Sequence, residues 1–127
     1  MRLNHLDLHV PDPAATAKFF TTYLGFRQIA VRANGGLIIL ADDAGLELVL
    51  SHAIAKFGST NQAGTGLVSY HIGFIVESRD SVDQLHRRMV SDGMDLQVPR
   101  EMRGGWLFYC HAPGHVLVEI GARPLFE

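Results

Sequence analysis

Two imidazoles and two carboxylates, His5, Glu47, His71 and Glu119, recur in a pattern that suits a divalent cation. Each sits in a stretch of alternating character: LNHLDLHV, GLELVL, SYHIGFIV and HVLVEI. Side chains along a strand point to two faces in turn. Leu6, Leu8 and Val10 therefore share one face, and His5, Asp7 and His9 the other. By the same rule Leu46, Leu48 and Leu50 oppose Glu47; Tyr70, Ile72, Phe74 and Val76 oppose His71; and Val116, Val118 and Ile120 oppose Glu119. One such residue alone reads as the hydrated side of a half-buried strand. Four, two of each donor type, point to a sheet whose second face lines a polar cavity.

The chemistry such a set offers is specific. Neutral imidazoles and carboxylates form a hard-to-borderline donor set that takes Zn²⁺, Mn²⁺, Fe²⁺, Co²⁺ or Ni²⁺. Nitrogen and oxygen donors bind such ions at about 2.0–2.2 Å. An octahedral ion with four protein donors keeps about two positions for substrate oxygens or water. Such an ion polarises a carbonyl and stabilises enolate-like charge, while Glu47 or Glu119 acts as general base. Asp7 has the parity of His5 and is placed to orient a ligand.

The elements that must carry these residues repeat. Residues 2–10 alternate as a strand. Asp12 caps a helix begun by Pro13 and closed by Gly25, with Phe19, Phe20, Tyr23 and Leu24 as its apolar stripe. A strand at 26–33 meets Asn34-Gly35, a two-residue hairpin signal. Strands at 36–41 and through Leu50 flank the turn Asp42–Gly45, giving the order β-α-β-β-β. Residues 52–66, HAIAKFGSTNQAGTG, break the pattern and read as a linker or flap.

The order then returns: a strand at 67–77, a helix capped by Ser78, or by Ser81 with Gln84, and ended by Gly93, then strands near 94–98, 105–111 and 115–121. Val82, Leu85 and Met89 form the stripe of this helix. Turns fall at Arg103-Gly104-Gly105 and Ala112-Pro113-Gly114. The expectation is one α+β domain of two tandem βαβββ modules, residues 1–51 and 67–127, joined by 52–66. His5 and His71 both stand on the first strand of a module, Glu47 and Glu119 on the last. Their separations, 42 and 48 positions, are similar. A repeat of this kind fixes architecture more firmly than any single motif.

Composition narrows the function classes. With 127 residues, 47 % hydrophobic, the chain can bury an ordinary core. Lys and Arg number 11 against 13 Asp and Glu, without a basic block, so no nucleic-acid partner is expected. No apolar run approaches the roughly 20 residues of a membrane helix, and the N-terminus has no signal-peptide core. The lone Cys110 permits no internal disulfide, reads as a small strand hydrophobe, and makes the cytoplasm the expected setting. His9, His52, His111 and His115 are secondary candidates. His86, beside Arg87 and Arg88, is expected on a solvated helix face. Trp106, Phe108 and Cys110 share one face of their strand and Leu107, Tyr109 and His111 the other; parity does not say which meets the helix.

The opening MRLNHLDLHVPDP, the helix AKFFTTYLGF, the strand SYHIGFIVE and the closing APGHVLVEIGA resemble the vicinal oxygen chelate superfamily. This group includes glyoxalase I, fosfomycin-resistance enzymes, extradiol dioxygenases and bleomycin-resistance proteins. The resemblance implies an eight-stranded cup-like mixed sheet with helices outside, and a divalent metal held by His5, Glu47, His71 and Glu119. It also implies a small-molecule substrate and a homodimer, with the cup built within one chain or across two. The His-Glu-His-Glu set is most similar to glyoxalase I, a lyase in which glutamates shuttle a proton. His9 stands where bacterial glyoxalase I carries a glutathione-engaging arginine, which speaks against that thiol. A metal-free, ligand-sequestering protein of bleomycin-resistance type is the alternative. An extradiol dioxygenase using Fe²⁺ through His5, His71 and Glu119 is a third.

Overall fold

The computed structural model describes residues 1–52 and 71–123. The order is β1 (His5–His9), α1 (Pro13–Tyr23), β2 (Arg27–Arg32), β3 (Leu37–Ala41) and β4 (Glu47–Ser51), then β5 (Ile72–Ile75), α2 (Arg79–Ser91), β6 (Arg100–Met102), β7 (Gly105–Ala112) and β8 (Val116–Ala122). Each half forms a four-stranded mixed sheet, ordered β1-β4-β3-β2 in the first and β5-β8-β7-β6 in the second. The class is α+β, as the sequence implies. Most of the stretch 52–66, and the beginning of the strand expected at 67–77, lie outside the described residues.

Both sheets follow one rule. The first strand runs parallel to the last and pairs with it, β1 with β4 and β5 with β8. The strands between are antiparallel neighbours where their register is defined, β2 with β3, β3 with β4, and β6 with β7. A parallel pair cannot be joined by a tight turn and needs a crossover, which α1 and α2 begin.

Local chemistry sets the helix ends. The Asp12 carboxylate accepts from the Ala15 amide at 3.1 Å, Pro13 opens α1, and Gly25 follows its end at φ +72°. Such a cap satisfies one of the amides a helix start leaves unpaired. In α2 the cap is Ser78, whose hydroxyl accepts from the Ser81 amide at 3.1 Å. Phe20, wholly buried, meets Phe26 edge-on at 5.6 Å as α1 packs on β2, β3 and β4. Beneath it Ile38, Leu40, Leu48 and Leu50 form the core of the first sheet. In the second half Val82 and Met89 of α2 are buried, with Leu85 partly so.

Backbone contacts divide the described chain into two compact units. The turn Ala112–Val116 groups with the N-terminal half, the first unit. The Thr16 hydroxyl donates to the Pro113 carbonyl at 2.8 Å. Gly114, at φ +90°, lies so near Val10 that an added Cβ would stand 3.1 Å from its Cγ1.

The sequence reading is corrected in three places. The strand expected at 94–98 is irregular chain, and the strand of that region is only Arg100–Met102. The β2–β3 connection is not a two-residue hairpin. Arg32 pairs with Leu37 and four residues intervene, of which Ala33, Asn34 and Gly35 all have positive φ. His86 is half-buried rather than solvated: its ring meets Phe108 edge-on at 5.2 Å, and its Nε2 is 3.0 Å from the Gln97 carbonyl.

Candidate functional site

Glu119 is the most constrained polar residue among those described. It lies on β8, amid buried Val118 and Ile120, and is itself only 3 % exposed. Burying a carboxylate is costly unless hydrogen bonds and opposite charge replace its water. Three partners do so. The Tyr109 hydroxyl donates to Oε2 at 2.8 Å. His71 Nε2 lies 2.9 Å from the same oxygen, and the Arg123 guanidinium donates to Oε1 at 3.0 Å. Burial pushes the Glu119 carboxyl up, but the Tyr109 hydrogen bond, the His71 ring and Arg123 outweigh it and hold the group below its ordinary value. The reverse acts on Tyr109: burial and the neighbouring Glu119 push its phenol up.

Strand geometry explains the convergence. β5 pairs with β8 so that Gly73 faces Glu119, and His71, two positions earlier, keeps the same parity. Tyr109 of β7 therefore shares the face of Glu119 and His71, and its ring meets that of His71 edge-on at 5.4 Å. The other face of β7 meets α2: the Trp106 indole donates to Asp83 at 2.7 Å, Arg79 lies 4.1 Å over the indole, and Phe108 touches His86. The question the sequence left open is thus resolved.

The first unit carries a simpler pair. His5 and Glu47 are direct partners in the parallel β1–β4 register, so both project from one face. His5 Nδ1 lies 3.0 Å from the Asn4 side chain and the residue is exposed. Asp7 accepts from the Ser51 hydroxyl at 2.6 Å rather than from an imidazole. The structure thus brings His71 to Glu119 and sets His5 beside Glu47. Within either unit, no three His, Cys, Asp or Glu side chains among the described residues gather as a cation site would need. His9 is half-buried, while His52, His111 and His115 are exposed.

The donor set nonetheless suits a divalent ion. A carboxylate oxygen and an imidazole nitrogen lie 2.9 Å apart where each could instead face a cation. Arg123 and Tyr109 would hold Glu119 in place during such an exchange, the outer support that metal-binding carboxylates commonly have. Sequence reasoning missed Arg123 altogether. Its one available signal was position, since it lies four residues after Glu119 with the same strand parity.

A family model described as the Glyoxalase/Bleomycin resistance protein/Dioxygenase superfamily matches residues 2–120. The chain belongs to this superfamily. An uncharacterized Pseudomonas aeruginosa protein is 34 % identical over 109 residues, covering 85 % of this chain and 77 % of that one. Among solved structures, a possible glyoxalase from Bacillus cereus is similar at a TM-score of 0.80 with 27 % identity, covering 94 % of this chain and 97 % of that one. The fosfomycin resistance protein FosX of Listeria monocytogenes shares the fold at a TM-score of 0.74 and 22 % identity, covering 98 % and 95 %. An antibiotic binding protein from Streptomyces shares it at 0.75 and 16 %, covering 98 % and 97 %. The fold is thus shared by a possible glyoxalase, a resistance protein and a binding protein, and fold alone does not choose among their functions.

Proposed function

We propose that this superfamily member is a divalent-metal-dependent enzyme of lyase or isomerase type, glyoxalase-like, acting on an oxygen-bearing small molecule. His5, Glu47, His71 and Glu119 are the ligands, drawn from one chain or from two in a homodimer. The observation that carries the reading is the buried Glu119 carboxylate with His71 Nε2 2.9 Å from its Oε2, matched by the His5–Glu47 pair at the corresponding strands of the other unit. The metal, when bound, would polarise a substrate carbonyl and stabilise the charge of an enolate.

The roles of the two glutamates divide. Glu119 is clamped by Tyr109, Arg123 and His71, which fixes its oxygens and keeps them ionised. Glu47 has no such clamp among the described residues and is half-exposed. It is therefore assigned the proton: Glu47 takes it from the carbon beside the polarised carbonyl and returns it to the neighbouring one. Tyr109 and Arg123 act through Glu119 as positioning residues. A cytoplasmic setting, with Cys110 reduced, accords with this reading.

Elemental analysis of protein purified without chelators tests it. About one divalent ion per site is expected, with loss of that ion in His71→Ala. Absence of metal, together with no thermal shift on adding Ni²⁺, Mn²⁺ or Zn²⁺, would overturn the enzyme reading. A panel of hemithioacetal, epoxide, catechol and acyl-CoA substrates then assigns the reaction.

One observation favours a second reading. Arg123 already gives Glu119 a cationic partner, which suits a metal-free protein that sequesters its ligand. In that case His71→Ala leaves ligand affinity nearly intact.

A further inference from the structure

The irregular chain at 94–98 leaves a space beside β7. β6 pairs only with Gly105–Leu107, so among the described residues the outer edge of β7 from Phe108 onward has no strand against it. A cleft of about 410 Å³ opens there, within the second unit. That volume falls in the range of small-molecule sites. Val98 and Leu107 supply apolar wall; Arg100, Tyr109 and His111 supply polar groups, and Asp95 is the one carboxylate of the lining.

Arg100 sets the character of this cleft. It makes no ion pair within 4 Å among the described residues, whereas Arg27 and Arg123 each hold a carboxylate. Arg103, in the β6–β7 turn, is likewise unpaired among them. Tyr109 lines the cleft two positions along β7 from Leu107, the register partner of Arg100. Tyr109 in turn donates to Glu119. The lining thus holds a cation without an ion pair among the described residues, near the hydroxyl that donates to Glu119.

We propose that this cleft binds the oxyanion group of the substrate, a carboxylate or a phosphoryl group, with Arg100 as its principal counter-ion. The proposal deepens the function reading above and rests on it for which end reacts. A guanidinium presents paired donors that match the two oxygens of such a group. Val98 and Leu107 would cover apolar carbon beside the charged group, and Tyr109 joins this lining to Glu119. The substrate class is therefore an acid, a carboxylate or phosphoryl compound with apolar carbon beside its charged group.

The test is a nuclear magnetic resonance titration of the full chain in metal-free buffer, using benzoate, phenyl phosphate and neutral benzamide. Benzoate or phenyl phosphate should shift amides near Val98, Arg100 and Leu107 to His111, and benzamide should not. The tighter of the two acids identifies carboxylate or phosphoryl as the preferred group. R100Q should weaken binding about tenfold, R100K should restore part of it, and R87Q, which removes the same charge from an exposed site on α2, should leave it unchanged. Equal binding of benzamide, unchanged affinity in R100Q, or shifts confined to other regions would overturn the proposal. A parallel Ni²⁺ titration separates the two readings. Oxyanion binding without metal uptake overturns the enzyme and keeps the cleft; metal uptake without oxyanion binding overturns the cleft alone.

Discussion

At the scale of single residues, the clamp on Glu119 makes the clearest demands. Tyr109→Phe removes one donor and leaves a buried carboxylate short of a hydrogen bond. A hydrogen bond to a charged group contributes about 1.5–3 kcal/mol, so urea unfolding of the metal-free variant should show a loss of about 2 kcal/mol. An unchanged midpoint would mean that water replaces the phenol without cost. Cys110 supports a pH prediction. Burial pushes its thiol from the ordinary 9.0 up to about 12. The folded state keeps the proton where the unfolded chain has lost it. The associated stability is therefore full below pH 9 and is lost as pH climbs towards 12. Urea midpoints should fall between pH 9 and 11, and Cys110→Ala should flatten that fall. At pH 8 a disulfide reagent should label the native thiol far more slowly than the denatured one. The parity of His71 and Glu119 was legible in the sequence, because alternation reports which residues share a face. Their lock was not. Tyr109 lies on a strand with aromatics on both sides, and Arg123 follows the strand, where no apolar alternation marks it.

At the scale of elements, helix caps and most turns were legible, while the β2–β3 turn and one strand were not. Asp12 with Pro13, and Ser78, carry their chemistry in residue type, and the structure uses them as expected. Asp12→Ala should cost about 1 kcal/mol through the lost cap, read by thermal or urea unfolding. The segment Met94 to Val98 alternates well, yet forms no strand. Alternation says which side chains agree, not whether a neighbouring edge is there to pair. Gly93 and Pro99 bracket the segment, and the Gln97 carbonyl meets the His86 ring instead of a strand. Gly114 tests the turn between β7 and β8. Its φ of +90° is strained for a side chain, and an added Cβ would crowd Val10 at 3.1 Å. A left-handed residue with a Cβ costs about 1–2 kcal/mol, and the contact adds to that, so Gly114→Ala should lose about 2 kcal/mol or more. A neutral result would require the turn to change conformation.

At the scale of the whole chain, the repeated βαβββ order was the most legible feature, because each half spells out its own caps, stripes and alternating strands. How the halves combine is not written in such local signals. The superfamily reading predicts a homodimer, with light scattering at micromolar concentration giving twice the chain mass. A monomer would require both ligand pairs to serve one site within a single chain and would leave the metal prediction standing. The sheet of the second unit also carries a vacancy in side-chain volume. Gly73 stands opposite Glu119, and a Cβ built on it meets nothing within 4 Å among the described residues. A new side chain there would enter beside the carboxylate without disturbing the core. One codon change could thus place a carboxylate, a methyl or a hydroxyl beside Glu119, so what this face binds can drift while its scaffold stays still.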